Sequence, residues 1–282
     1  AQFLQIPEIQ IRVISTDIGG GFGYKAIVTG EEICLCWLAM RCGHPVRWLE
    51  DRREQLTANA NCREHFYDMT AYADEKGKIL AFDAMAAVDS GAYSAFPFTA
   101  AIEASQVSAI LPGPYDLPAY RCSTVAVATN KTPQLPYRGV ARPGCCYAME
   151  VMIDAIARET GREPYEVRLA NLVGPEQMPY DNVTDKHFDS GDYPELLRRA
   201  VDAIDLESVR DRQKKGETDG RLIGLGISVF SEQTAHGTTA DGKRRAMHEQ
   251  AFARLTPDGR LDIRVGIQSI GQGLETTLAQ VA

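Results

Sequence analysis

Four glycines within residues 19–23 form the segment of this sequence with the clearest capacity for chemistry. The surrounding stretch reads DIGGGFGYK, from Asp17 to Lys25. A backbone without Cβ atoms can turn its N–H groups toward a bulky anion that an ordinary loop could not approach. The composition therefore indicates a binding loop for a large polar group, and an ordinary tight turn is the alternative.

The segments on either side of this loop would position its amides. A β-like run over 9–15 precedes it, and a helix-like run over 27–41 follows it and stops at Cys42-Gly43. A returning strand is predicted at Val46–Leu49, which completes a β–loop–α–β crossover with a parallel pair of strands. This order directs the loop amides and a helix N-terminus at one point, the usual arrangement for phosphate.

The loop matches neither of the standard phosphate motifs. The pattern G-x-x-x-x-G-K-[ST] fails because Ala26 follows Lys25, and the G-x-G-x-x-G spacing is absent. A nucleotide-binding function therefore has no support beyond the glycines themselves. The loop taken alone leaves the binding loop and the plain turn both open.

Length and composition are those of a globular protein. The 282 residues are 44% hydrophobic and 24% charged, which argues against a disordered chain. The net charge of −8 disfavours nucleic acid and anionic membranes as partners, because either requires a basic face. With neither a membrane-length apolar run nor a signal-peptide pattern in the sequence, we expect a cytoplasmic protein.

Seven cysteines give no recognisable framework. Their number is odd and no C-x-x-C pair occurs, so neither disulfides nor a zinc or iron–sulfur site is indicated. We interpret them as mostly small core residues. For the adjacent Cys145-Cys146 pair a redox role is the alternative.

The middle of the sequence predicts mixed α and β structure. Two β-rich runs, 63–72 and 79–88, flank a hairpin turn at Asp74–Gly77. A loop followed by a short helix is predicted over 90–110, and a strand over 120–129. A helix follows, and its apolar stripe at positions i, i+3, i+4 and i+7 is predicted as core. The stripe consists of Met149, Met152, Ile153 and Ile156.

The last third of the sequence predicts a boundary and then a second region. A helix begins at the capping residue Asp192 and is followed by a charge-rich stretch, 207–220, that we interpret as a linker. Strands are predicted at 222–230, 249–255 and 261–267. A second glycine-flanked loop then opens a helix near the end, with the sequence GQGLETTLAQ over 271–280.

Three stretches together carry a family resemblance. They are GGGFGYK over 19–25, YRGVARP over 137–143 preceded by Thr129-Asn130, and GQGLETTLAQ over 271–280. In this order and at these separations they resemble the molybdopterin-binding large subunit of the molybdenum hydroxylases, the group of xanthine dehydrogenase, aldehyde oxidase and aerobic carbon monoxide dehydrogenase. The resemblance spans nearly the whole chain.

The resemblance implies an α+β fold of the molybdopterin-binding type. Residues 1–206 would form the first cofactor-binding domain and 221–282 the beginning of the second, with 207–220 between them. Glycine loops and amide side chains suit a cofactor that carries a phosphate and a polar pterin. The form bound would be molybdopterin or its cytosine dinucleotide.

The resemblance also assigns individual residues. Phe22 and Arg138 would lie near the molybdenum centre, and a core anchor and a surface ion pair are their alternative roles. The cofactor-binding set implied is Gly20, Gly21, Phe22, Gly23, Arg138, Gln272, Gly273, Thr276, Thr277 and Gln280.

The reaction implied is hydroxylation with water, in which a glutamate acts as general base and electrons leave through 2Fe–2S and FAD subunits or domains. The family places this glutamate in a Gly-x-Gly-Glu context that is absent here, so no catalytic residue is assigned and the isolated chain is expected to be inactive. We interpret the chain as a fragment of a protein that is oligomeric at full length. A non-catalytic scaffold or a degenerate paralogue is the alternative.

Two departures from the family pattern narrow the substrate. Purine-oxidising members carry a glutamate where this chain has Ala26, and an arginine in a stretch where none occurs between Arg63 and Arg121. Carbon monoxide dehydrogenases carry a copper-binding cysteine where this chain has Gly139, and Cys122 is predicted to belong to a strand instead. An aldehyde or an aromatic N-heterocycle remains.

Overall fold

A three-stranded sheet is the centre of the fold in the computed structural model, which describes residues 1–232 and 250–282. The strands are β1 (His65–Ala73), β2 (Ile79–Gly91) and β3 (Tyr120–Ala128). β1 pairs with β2 antiparallel, and β3 pairs with β2 parallel. The mixture of helix and sheet confirms the predicted α+β class.

The predicted hairpin between β1 and β2 is confirmed. Asp74 stabilises the turn, because its Oδ1 accepts hydrogen bonds from the N–H groups of Lys76 at 2.8 Å and Lys78 at 2.9 Å. Gly77 has φ +77°, a left-handed conformation that glycine adopts without strain.

Two helices cover one face of the sheet and form the core with it. They are α3 (Ile102–Ile110) and the longer α4 (Arg142–Thr160), which ends at Gly161 with φ +65°. The apolar stripe of α4 lies where its period predicts: Met149, Ile153 and Ile156 are buried, and Met152 packs partly buried against them.

The short helix α5 (Pro164–Asn171) fastens α4 to the hairpin. Asn171 Oδ1 accepts a hydrogen bond from Ile79 N at 2.8 Å, and its Nδ2 donates to Gly77 O at 2.8 Å. The buried Arg168 donates from Nε to Glu150 Oε2 at 2.7 Å and from Nη1 to Asp154 Oδ1 at 2.8 Å. The polar side chains of Asn171 and Arg168 are thus paired inside this core, as burial requires.

Most of the remaining elements lie outside this core. Among their described residues, only Leu197, from the helix that follows Asp192, is buried in it. α1 (Gly30–Cys42) and α2 (Arg52–Ala58) precede the sheet and bury no residue. Two short strands, β4 (Tyr180–Asp181) and β5 (His187–Phe188), pair with each other. Three helices and a hairpin follow them in the described chain. These are the helices α6 (Tyr193–Ala203), α7 (Leu206–Lys215) and α8 (Leu274–Val281), and the hairpin strands β6 (Ala251–Leu255) and β7 (Leu261–Val265).

Three predicted strands are wrong. Residues 9–15, 46–49 and 222–230 form no strand in the described part of the chain, and the crossover unit predicted near the start is therefore absent from it. Each has a strand-like composition, but a strand requires a hydrogen-bonding partner, and none of the described segments pairs with them. The only parallel pair among the described strands joins β2 to β3, through α3.

Other boundaries shift by a few residues. The first helix begins at Gly30 rather than at Ile27, because residues Tyr24–Ala26 form a 3-10 turn before it. The predicted linker holds α7 as far as Lys215, and the domain boundary there stays a prediction. The strand predicted at 249–255 is Ala251–Leu255, and its residue 249 lies outside the described residues.

The interpretation of the cysteines as mostly core residues is wrong. Cys145 is buried, but Cys34, Cys36 and Cys42 on α1 are exposed. These three thiols are exposed because α1 buries no residue in the described part of the chain. All seven cysteines are free thiols.

No helix in the described part of the chain is both long and apolar enough to span a membrane.

Candidate functional site

The first and third glycine motifs lie against each other. Their first glycines, Gly19 and Gly271, are 252 residues apart in the sequence. Gly271 has φ +96°, and a Cβ atom added there would lie 2.7 Å from the Ile18 carbonyl oxygen and 3.0 Å from the Gly20 nitrogen. A Cβ at Gly21 would lie 3.4 Å from the Ile270 side chain. Backbone therefore packs directly on backbone here, which only glycine permits.

The second motif approaches the same loop from its other end. A Cβ at Gly23, where φ is +87°, would lie 3.0 Å from the carbonyl oxygen of Pro136. The rings of Phe22 and Tyr137 stack with centroids 6.2 Å apart and an interplanar angle of 25°. The first loop is thus the meeting point of all three motifs.

The first loop leaves its backbone donors available. In residues 1–232 and 250–282, no hydrogen bond is made by the N–H groups of residues 20–23. Phe22 is 48% exposed and has φ +54°, so the alternative role of a core anchor does not hold. A Cβ at Gly20 would lie 2.3 Å from the Phe22 ring, so glycine is needed for the ring to lie over the loop.

Arg138 lies on an exposed turn beside this loop. Gly139 has φ +92° and Val140 φ +51°, and the Arg142 N–H closes the turn on Gly139 O at 2.9 Å. No hydrogen bond or ion pair to the Arg138 guanidinium occurs among the residues that the structure describes, so the alternative of a surface pair finds no partner there. An exposed cation next to open N–H groups favours an anionic ligand.

The third motif opens a helix whose N-terminus has no side-chain cap. Gly273, with φ +74°, precedes α8, and the N–H groups of the first turn are among those that a helix leaves unpaired. Such a terminus attracts anions through its amides and its dipole. It lies directly behind Gly271, which packs on the first loop.

The predicted site residues of the third motif differ in how they are used. Gln272 Oε1 accepts a hydrogen bond from Ile270 N at 2.6 Å, and Thr277 Oγ1 donates to Gly273 O at 2.9 Å. These two side chains hold the loop and the first helical turn in shape. Thr276 and Gln280 are exposed and make no side-chain hydrogen bond within the described residues.

Two contacts of this site were missed by sequence reasoning. Pro136 lies in none of the three motifs, although its carbonyl oxygen is the atom nearest to a Cβ added at Gly23. The sequence indicates Arg63 only as the start of a β-rich run and one end of an arginine-free stretch, yet its Nη2 donates to the Arg138 carbonyl oxygen. No spacing signal could have found this pair, because 75 residues separate its members.

An ion network lies behind the second motif, where β2 and β3 end. Asp89 accepts hydrogen bonds from Thr129 Oγ1 at 2.6 Å and Gly91 N at 2.9 Å, and Lys131 Nζ lies 2.9 Å from its Oδ2. Chiefly through the Thr129 bond, these contacts lower the pKa of Asp89 to about 2. Asp89 is therefore ionised at neutral pH and fixes the end of the sheet.

Burial disfavours the thiolate form of three cysteines. Burial raises the pKa of Cys145 to about 12 and also raises the pKa of Cys146 and Cys122. Cys122 lies in β3, which confirms its prediction as a strand residue. No group of three or more His, Cys, Asp or Glu side chains suited to a metal occurs among the described residues.

Comparison with known proteins gives one consistent family. A model described as a molybdopterin cofactor-binding domain matches residues 1–172, and a second model of the same description matches 199–282. The chain is 36% identical over 284 aligned positions to the nicotine 6-hydroxylase large subunit of Paenarthrobacter nicotinovorans, covering 99% of this chain and 35% of that protein.

Two further proteins extend the comparison. The carbon monoxide dehydrogenase large chain of Hydrogenophaga pseudoflava is 33% identical, over 98% of this chain and 35% of its own length. The crystal structure of quinoline 2-oxidoreductase from Pseudomonas putida 86 superposes with a TM-score of 0.87 at 37% identity, over 94% of this chain and 34% of that one. The chain thus spans about a third of the length of these proteins.

Proposed function

The chain belongs to the molybdopterin cofactor-binding domain family, and on that premise we propose that it is part of the catalytic subunit of a molybdenum hydroxylase. The relatives matched over nearly the whole chain include hydroxylases and dehydrogenases. The proposed reaction is hydroxylation of an N-heteroaromatic compound or an aldehyde with water.

The observation that carries this proposal is the convergence of the three motifs. Residues 20–23 offer N–H groups that have no partner among the described residues, Arg138 adds an exposed cation, and α8 adds an N-terminus without a side-chain cap. A cofactor with a phosphate and a polar pterin fits this set of donors, and the glycines leave room for it to approach. We assign the cofactor to Gly20, Gly21, Phe22, Gly23, Arg138, Gln272, Gly273, Thr276, Thr277 and Gln280.

Among these residues the proposed roles differ. The backbone at Phe22 and the guanidinium of Arg138 would face the metal end of the cofactor. The amides before α8 and the side chains of Thr276 and Gln280 would bind its phosphate and pterin ends. The bound molybdenum cofactor supplies the oxidising centre, and this chain binds and orients it.

Partners follow from that chemistry. Each turnover removes two electrons from the substrate, so the protein requires acceptors, for which we propose 2Fe–2S and FAD subunits or domains. We propose molybdopterin cytosine dinucleotide or molybdopterin as the cofactor, and an oligomer for the full-length protein. Because no Gly-x-Gly-Glu segment occurs in the chain, the general base would come from elsewhere in the protein.

Substrate choice is proposed from two positions and from the relatives. Ala26 and the arginine-free stretch 64–120 offer no charged anchor for a purine. Gly139 follows Arg138 where a copper-binding cysteine would be needed for carbon monoxide. The named substrates of two close relatives, nicotine and quinoline, are N-heteroaromatic compounds.

The cofactor assignment is tested with Gly271→Ala in the full-length protein. The added Cβ would lie 2.7 Å from the Ile18 carbonyl oxygen, so the first and third loops must separate and the cradle must open. The matched control is Gly259→Ala, which has a similar φ of +80° but open space around it. We expect molybdenum and pterin content to fall severalfold in Gly271→Ala alone, and equal loss in both variants would contradict the assignment.

The substrate assignment is tested by steady-state kinetics with isoquinoline, benzaldehyde and xanthine. Loss of one group that stabilises a transition state costs about a hundredfold or more in rate, so a site without purine anchors should favour the first two. The highest kcat/KM with xanthine would contradict the assignment. A full-length protein that binds the cofactor but turns over none of these would favour the alternative of a non-catalytic scaffold.

A further inference from the structure

Arg63 lies just before β1 and beside the turn that carries Arg138. Its Nη2 donates a hydrogen bond to the Arg138 carbonyl oxygen, and its Cζ lies 4.8 Å from the centre of the Tyr137 ring. Tyr137 in turn stacks on Phe22 of the first glycine loop. One side chain thus holds the backbone of the second motif and covers the ring that joins it to the first.

Arg63 adopts this position at a local cost. Its φ of +67° lies in the left-handed region, which non-glycine residues rarely occupy. Its Nε is buried without a hydrogen-bond partner in the described structure. Such features persist only where the surroundings enforce them, and they concentrate at functional positions.

The surroundings of Arg63 do enforce its conformation. Two residues earlier, Asn61 binds the segment just before the second motif: its N–H donates to Pro133 O at 2.9 Å, and its carbonyl accepts from Leu135 N at 3.0 Å. The Arg63 N–H donates to Glu103 Oε2 at 3.4 Å. Glu103 is 1% exposed, and its Oε1 lies 3.2 Å from Nε2 of the buried His65.

We propose that Arg63 is a positioning residue for Arg138. It binds the carbonyl of Arg138 and packs on the ring of Tyr137, which stacks on Phe22. The turn that carries the exposed Arg138 guanidinium is thereby fixed to both Arg63 and the first loop. The planar fork of arginine can stack on a ring while one of its N–H groups donates to a carbonyl, and the compact ammonium of lysine lacks this planar surface, so lysine is an incomplete replacement. The functional consequence rests on the proposed function, because it assumes that Arg138 faces the metal.

The test compares Arg63→Gln and Arg63→Lys with the matched control Arg41→Gln, all in the full-length protein. Arg41 also lies over an aromatic ring, with its Cζ 5.4 Å from the Trp37 centroid, but it belongs to α1 outside the three motifs. Circular dichroism establishes that each variant is folded. If Arg63→Gln does not fold, Arg63→Lys, which keeps the charge, carries the test.

The first readout is trypsin cleavage after Arg138, followed by mass spectrometry. Arg63 binds the carbonyl of the peptide bond that trypsin would cut. Loss of Arg63 should therefore make this segment more mobile and more accessible to trypsin. The hydrogen bond of a charged donor is strong enough for cleavage to rise about tenfold or more in Arg63→Gln. We expect a smaller rise in Arg63→Lys and none in Arg41→Gln.

The second readout is kinetic and uses isoquinoline. A positioning role predicts that kcat falls about tenfold or more in Arg63→Gln while KM changes little, at unchanged molybdenum content, and that Arg63→Lys recovers part of the loss. Cleavage at the parental rate would overturn the proposal, and so would faster cleavage with unchanged kcat. Failure of the proposed function can be distinguished from failure of this proposal. If the proposed function is wrong, the parental full-length protein contains no molybdenum, whereas the cleavage readout needs no cofactor.

Discussion

The core around β2 and α4 and the rim formed by the glycine loops satisfy their polar groups in opposite ways. In the core, Arg168 is fully buried and binds Glu150, Asp154 and the Ile227 carbonyl. In the rim, the N–H groups of residues 20–23 and the Arg138 guanidinium have no partner in the described chain. Arg168 is thus paired within the chain, whereas the rim leaves donors open at the place where we propose that the cofactor binds.

This difference teaches where stability and function reside in the chain. Buried polar groups without partners cost about 1–3 kcal/mol each, so a core must pair them. Exposed donors cost little in water and can await a ligand, provided that their backbone is fixed. At Gly271 and Gly23 the backbone packs directly on the backbone of another segment, which fixes the loops. No side chain at these two positions occupies the space next to the open donors.

The largest expected effect lies in the core, at Arg168→Met. This change leaves the Glu150 carboxylate buried without its cation, and breaking a buried ion pair costs about 3–5 kcal/mol of the free energy of unfolding. The control is Arg199→Met, because Arg199 is 77% exposed in its pair with Glu195 and should cost under about 1 kcal/mol. Urea denaturation followed by circular dichroism measures both, and equal costs would contradict the contrast between core and surface.

An intermediate effect is expected at Asp89, where the core meets the rim. Its pKa of about 2 in the folded protein lies below the ordinary value of 3.8, so its contribution to stability is present above about pH 4 and lost as pH falls toward 2. Asp89→Asn should therefore weaken the dependence of the urea midpoint on pH in this window. Thr129→Val removes the main contact that lowers the pKa of Asp89, so the pH range over which stability is lost should become narrower. An unchanged pH profile in both variants would contradict this account.

The smallest expected effect lies at Leu255 in β6, which is 72% exposed. Leu255→Ala should change the free energy of unfolding of this chain by no more than about 0.5 kcal/mol. The same change at Leu111, which is 1% exposed, should cost about 2–5 kcal/mol. A cost above about 1 kcal/mol at Leu255 in the full-length protein alone would show that another part of the protein covers the β6–β7 hairpin.

Local patterns predicted much of the fold because their physical causes are local. The turn at Asp74–Gly77 and the cap of α6 at Asp192 both depend on residues a few positions apart. The stripe of α4 was predicted as core because a period of 3.6 residues places its members on one face. The strands predicted at 46–49 and 222–230 were wrong because strand formation depends on a distant partner that composition does not reveal.

The sequence by itself determined the family, since three motifs in order identify it, and it predicted a set of cofactor-binding residues that stays a prediction. Only the tertiary structure decided that Gly271 packs on Gly20, that Phe22 stacks on Tyr137, and that Arg63 binds the Arg138 carbonyl. The physical reason is that these contacts join residues more than 70 positions apart through backbone conformation, including left-handed φ angles at Gly271 and Arg63. Such contacts follow from how the elements pack, and no short-range pattern encodes them.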